Sequence, residues 1–135
     1  MSVEWIKGRG EVSSVQLDEF EEQYQISFPD DYKTIVSKYN GGYPSATLLD
    51  LPTGREVVFD SLINWDQSRK ANIYFWMNCL GLSKTVPFGK DPFGNLFCFC
   101  FSNSSNPHIK YWDHETGEFH MISNNWKSFT ESFHE

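Results

Sequence analysis

The stretch Gln25-Ile26-Ser27-Phe28-Pro29-Asp30-Asp31-Tyr32-Lys33-Thr34-Ile35-Val36-Ser37-Lys38-Tyr39-Asn40-Gly41-Gly42 carries both the start and the stop of a helix. Pro29 suits the first helical position, where its missing N–H costs nothing and its fixed φ is already helical. Asp30 and Asp31 follow and place negative charge at the positive end of the macrodipole. Tyr32, Ile35, Val36 and Tyr39 recur at i, i+3, i+4 and i+7 and so form one apolar stripe. Asn40-Gly41-Gly42 ends the element, since glycine takes the left-handed conformation a helix stop requires.

A second helix precedes this one. Ser13 or Ser14 is placed to cap it, and Leu17, Phe20 and Tyr24 share a face. Asp18, Glu19 and Glu22 point away from that face. Gln25 to Phe28 is then a short connection, and the two helices form a pair with apolar faces turned the same way.

Beyond Gly42 the pattern becomes mixed. Tyr43-Pro44-Ser45 reads as loop. Leu48–Leu51 and Glu56–Phe59 read as a hairpin around Pro52-Thr53-Gly54. Leu62–Asp66 fits no single period. Ser68–Leu80 reads as a helix carrying Ile73, Trp76, Met77 and Leu80, stopped by Gly81. Thr85–Gly89 and Leu96–Phe101 read as strands joined by Lys90-Asp91-Pro92-Phe93-Gly94-Asn95, with Ser102–Pro107 a polar loop. His108–Trp112 and Glu118–Ile122 make a further hairpin, and Asn124 or Asn125 caps a last helix with Trp126, Phe129 and Phe133. This order predicts an α+β fold, a largely antiparallel sheet packed with helices. Residues 1–135 are expected to form a single domain.

Composition supports a globular chain: 17% of residues are aromatic and 21% are charged. No apolar run approaches the ~20 residues of a membrane span, and the N-terminus lacks the order of a signal peptide. Cys79, Cys98 and Cys100 are an odd set without framework spacing, which fits reduced thiols. A cytoplasmic location is the expectation. The net charge of −7 is unevenly spread. Residues 1–31 hold eight acids against Lys7 and Arg9, a balance of −6, while ten acids and nine bases leave −1 to the remainder. Direct nucleic-acid binding is disfavoured, because affinity there comes mainly from cations on phosphates. A basic partner is favoured.

Candidate chemistry is sparse. Cys98-Phe99-Cys100, with His108, His114 and His120 downstream, is the one arrangement that suggests a metal. Structural zinc sites separate paired cysteines by roughly two to four residues, so no metal site is expected here. Phe97, Phe99 and Phe101 share one face of their strand and Leu96, Cys98 and Cys100 the other, the pattern of a central strand covered on both sides. No nucleophile elbow, phosphate-binding glycine loop or dinucleotide motif is present. Asp113-His114-Glu115 sets two carboxylates beside an imidazole, yet neighbours on a turn point apart, and solvated turn residues are the expectation. Neither a catalytic residue nor a cofactor is expected.

Phe20-Glu21, Ile26-Ser27-Phe28-Pro29-Asp30-Asp31-Tyr32-Lys33 and Tyr39-Asn40-Gly41-Gly42 together resemble the N-terminal signature of the SUKH superfamily. Val86-Pro87-Phe88-Gly89-Lys90-Asp91-Pro92-Phe93-Gly94-Asn95 is similar to its second signature, and Tyr111-Trp112-Asp113-His114-Glu115 with the aromatic last helix resembles its closing segment. The resemblance covers nearly the whole chain. Phe28 departs from it, since leucine is usual there. It implies an α+β fold and, in bacteria, a non-enzymatic immunity protein that binds and neutralises a polymorphic toxin, often a nuclease. A fungal branch acts instead as a regulatory scaffold in cell-wall synthesis. Joined to the acidic N-terminal segment, the resemblance implies a basic toxin as partner, met by Asp18, Glu19 and Glu22, with exposed aromatics at Trp65 or Trp112 as anchors. A small-ligand-binding module is the remaining alternative.

Overall fold

The computed structural model describes residues 2–8, 10–102 and 106–135. Strand β1 (Trp5–Ile6) precedes helices α1 (Ser14–Tyr24) and α2 (Asp30–Tyr39). Strands β2 (Tyr43–Pro44), β3 (Leu48–Asp50), β4 (Glu56–Val58) and β5 (Ser61–Leu62) lead to α3 (Ile73–Leu80). Strands β6 (Thr85–Lys90), β7 (Leu96–Cys100), β8 (His108–Trp112) and β9 (Phe119–Ser123) follow, and α4 (Trp126–Glu131) is the last helix. The fold is α+β, as the segment order implies. Its main sheet has five strands in the order β5-β6-β7-β8-β9, every neighbouring pair antiparallel.

Local chemistry accounts for most element boundaries. Ser13 caps α1 by accepting from the Gln16 N–H at 3.1 Å, and Asn125 caps α4 by accepting from Ser128 N–H at 2.8 Å. Pro29 sits one position earlier than expected. It is the N-cap residue of α2, with extended ψ of 137°, and Asp30 begins the helix. Helix α3 starts at Ile73 and not at Ser68. The Asp66 carboxylate accepts from both the N–H and the hydroxyl of Ser68, which holds those residues in a turn, and Asn72 then caps the helix through Phe75 N–H at 3.0 Å. Tyr43–Pro44, expected as loop, pairs instead with Trp5–Ile6 in a short ladder. Of the Ser102–Pro107 loop, residues 103–105 lie outside the described residues.

The core is an aromatic network built on the central strand. Leu96, Phe97, Cys98 and Phe99 are all fully buried, so β7 is covered on both faces as its two-sided apolar pattern requires. Phe99 stacks on Phe88 at 4.3 Å and meets Tyr32 of α2 at 5.0 Å and Trp126 of α4 at 5.6 Å. Phe97 packs on Phe59 at 4.8 Å, and Phe28 reaches Phe101 at 6.1 Å. Edge-to-face pairs of this kind add roughly 0.5–1.5 kcal/mol each beyond area burial. The stripe on α2 is graded: Tyr32 and Val36 are fully buried, Ile35 is half-buried and Tyr39 is exposed at the helix end.

Candidate functional site

The signature residues make structural hydrogen bonds. Glu21 Oε2 accepts from the Phe28 N–H at 2.7 Å, and its other oxygen lies 3.6 Å from Lys33 Nζ, so this carboxylate ties the end of α1 to the start of α2. Asn40 is 3% exposed. Its Oδ1 accepts from Trp65 N–H at 2.8 Å and its amide donates to Asn64 Oδ1 at 3.0 Å. The side chain that ends α2 therefore fixes the segment after β5. Gly41 has φ of 74°, and a Cβ on Gly42 would stand 2.8 Å from the Ile6 carbonyl oxygen, so larger residues are resisted at both. Trp65 completes the arrangement by donating its indole N–H to the Tyr32 hydroxyl at 3.1 Å. Burial pushes the Tyr32 phenol far above its ordinary range, which keeps it a neutral acceptor.

The second signature behaves in the same way. Asp91 is buried and accepts four hydrogen bonds: from the N–H groups of Phe93 and Asn95, the Asn95 amide, and the Tyr111 hydroxyl at 2.7 Å. Burial, and then this bond to Asp91, hold the Tyr111 phenol well above its usual value. Asn95 Oδ1 in turn lies against His114, accepting from its N–H at 3.0 Å and 2.7 Å from Nδ1. Asp113 Oδ1 accepts from Glu115 N–H at 2.9 Å, an Asx turn. The Asp113-His114-Glu115 segment thus anchors a turn, and its groups border a hollow of about 290 Å³ with Arg55 and Phe93.

The cysteines and histidines do not converge. Cys98 is fully buried, its thiol pushed well above the ordinary range by burial, while Cys100 faces His108 across the β7–β8 ladder. Among the described residues, the set of three cysteine, histidine or acidic side chains whose ligand atoms all lie within 4.8 Å of one another is Asp50, Glu56 and His134, on the β3–β4 ladder and the C-terminal tail.

The expected partner-binding residues separate into two groups. Asp18, Glu19 and Glu22 are all exposed on α1, clear of the core face formed by Leu17 and Phe20. Trp65 does not fit the expectation of a surface anchor: it is 1% exposed, hydrogen-bonded to Tyr32 and packed 4.8 Å from Phe20. It lies in a segment of ambiguous period, where nothing local fixed its direction. Trp112 is half-buried on β8, opposite Leu96 and Phe119. Helix α1 meets Phe28 and Lys33 just after it and Trp65 and Tyr74 farther along the chain.

A different pair of exposed apolar side chains lies on and just past α3. Helix α3 lies against α1, with Tyr74 edge-on to Phe20 at 5.7 Å and its hydroxyl accepting from Gln16 Nε2 at 3.1 Å. On α3 Ile73 and Met77 are buried, whereas Phe75, and Leu82 just past the helix, are each 44% exposed. The sequence signal for this was available. Phe75 and Leu82 are seven apart and fall off the Ile73–Met77 period.

Fold and hydrogen bonding define the class first: an α+β protein whose motif residues build the scaffold, with Asp18, Glu19 and Glu22 exposed on α1. A family model described as SMI1-KNR4 cell-wall, SUKH_6, matches residues 15–130, and the chain belongs to this SUKH family, one of immunity and regulatory proteins. No curated protein matches the chain. Among the described residues, no helix is long and apolar enough to cross a membrane.

Proposed function

We propose that this protein is a cytoplasmic immunity protein that binds a basic toxin domain, of the nuclease kind, and occludes it without turnover. The observation that carries this reading is the exposed carboxylate trio Asp18, Glu19 and Glu22 on α1, within a 31-residue segment of net charge −6, in a chain of the SUKH family. Nucleases present cations where substrate phosphates sit, so fixed carboxylates can occupy the same field and accelerate encounter. Phe75 on the neighbouring α3 offers the apolar anchor that such an interface needs at its centre, with Trp112 as a further contact. Trp65, being buried, is not part of it.

The test is to sequence the gene immediately upstream of the chain's own and to co-express any toxin domain it encodes. Growth should be rescued by the native chain and lost with Asp18→Lys, Glu19→Lys and Glu22→Lys combined, with binding that weakens as salt rises. Rescue and salt dependence unchanged in the triple variant would refute the acidic interface. The description of the matching family, cell-wall SMI1-KNR4, favours as second reading a regulatory scaffold for several host proteins. Capture of several partners and no toxin by the native chain would select it.

A further inference from the structure

A concave surface lined by residues other than those of the acidic helix has the opposite charge. It is a groove of about 950 Å³ with Phe59, Leu62 and Ile63 as its buried floor. Lys7, Arg69, Lys70 and Lys90 stand around it, and Asp60 is the one carboxylate among the described residues that line it. That is a lining balance of +3 in a chain of net −7, with Asp66 outside the lining but within the field of Arg69. None of these four cations lies within 4 Å of a carboxylate among the described residues, whereas Lys33 and Arg55 both do.

The four charges come from three distant parts of the chain, and the fold brings them together. Lys7 follows β1, which is held to β2 by the Ile6–Tyr43 pairing, and it takes a left-handed φ of 50°. Arg69 and Lys70 ride on a turn fixed from both ends: Asp66 holds Ser68, and the Asn72 amide donates to the Arg69 carbonyl at 2.7 Å. Lys90 ends β6, where its carbonyl accepts from Asp60 N–H at 2.8 Å. Hydrogen bonds position these backbones in advance, so the ordering cost left for a ligand to meet is that of the four long side chains.

We propose that this groove is a binding site for a small molecule bearing linked phosphates. The volume lies within the range of small-molecule sites, roughly 300–1,000 Å³. A guanidinium fork and ammonium groups suit phosphate oxygens, and a di- or triphosphate concentrates the three or more negative charges that the balance of +3 requires. Tyr43, 38% exposed on the groove wall, presents a ring on which a base can stack. The net negative charge of the whole chain does not prevent this, since fields from charges beyond a Debye length of about 8 Å are screened at physiological salt.

Calorimetric titration of the full chain with inorganic tripolyphosphate, ATP and citrate tests the site. Saturable binding of tripolyphosphate that weakens with salt is expected, and tighter binding of ATP identifies a nucleotide while equal binding identifies the phosphate chain alone as the recognised group. Lys70→Glu should weaken binding by about tenfold or more. Lys127→Glu, an exposed site on α4 with the same charge change, should leave it unaltered. No heat with either phosphate ligand, citrate binding as tightly as tripolyphosphate, or equal losses in the two variants would each overturn the proposal. Toxin neutralisation by Lys70→Glu reads the immunity function separately.

Discussion

Replacing Asn40 by alanine tests whether the end of α2 organises the fold. The substitution removes the acceptor of the buried Trp65 N–H, a 2.8 Å bond, and the donor to Asn64 Oδ1 at 3.0 Å. An orphaned buried N–H costs about 1–3 kcal/mol, and loss of the second bond about 0.5–1.5 kcal/mol. Asn64 Oδ1 keeps the Asp66 N–H as a donor at 2.7 Å, so the second term belongs at the low end of its range. The sum is about 1.5–3.5 kcal/mol, a large share of the roughly 5–15 kcal/mol that stabilises an ordinary domain. Urea unfolding followed by tryptophan fluorescence and by far-UV circular dichroism measures it. The two probes should shift together, with the slope against denaturant unchanged. Asn40→Asp retains an acceptor for Trp65 but loses the donor and buries a charge, so it should not rescue. A loss below about 1 kcal/mol in the alanine variant would refute the idea that Asn40 staples the two segments.

Two further perturbations probe other parts of the molecule. A Cβ at Gly89 would fall 2.3 Å from Phe59 Cε2, and Phe59 is fully buried with Phe97 at 4.8 Å and Phe133 at 5.5 Å. Gly89→Ala should therefore destabilise by about 1–3 kcal/mol through overpacking, and an unchanged melting temperature would show that the ring can move aside. His134 is paired with Leu48 through backbone hydrogen bonds, and its Nε2 lies 3.1 Å from Asp50 Oδ2, with Glu56 nearby. A hydrogen bond to the Glu135 carbonyl, and then Asp50, raise its pKa above 6.5. The protonated form is thus favoured by folding. Its contribution is complete below pH 6.5 and is lost as pH rises through the raised value. The urea midpoint of the native chain minus that of His134→Gln should shrink over this interval, and a difference that grows with pH would reverse the assignment.

Helices were the most legible part of the chain. Ser13 and Asn125, both expected as caps, have side-chain acceptors in place, and Gly81 takes the left-handed φ of 58° at the end of α3, whereas the Asn72 cap of α3 stands beyond the expected start at Ser68. Such signals act within a few residues, so they can be read without knowing the fold. The period-two strands β6 to β9 were legible for the same reason. The β1–β2 ladder was not, because two residues on each side carry no periodicity and the pairing joins residues some forty positions apart. Trp65 shows the same limit at the level of function. Its burial depends on Tyr32, Phe20 and Asn40, all distant in sequence, so its large ring could not be assigned to core or surface beforehand.

The sequence by itself determined the α+β class, the existence of the four helices and the acidic face of α1, since each follows from local hydrogen-bond chemistry, short-range periodicity or charge count. Its motifs resemble those of the family to which the chain belongs. Tertiary structure alone decided what the signature residues hold, which aromatics remain exposed, and that Lys7, Arg69, Lys70 and Lys90 surround one groove. Those properties depend on which segments meet in space. Charges far apart along an acidic chain become one basic surface only when the chain closes around them.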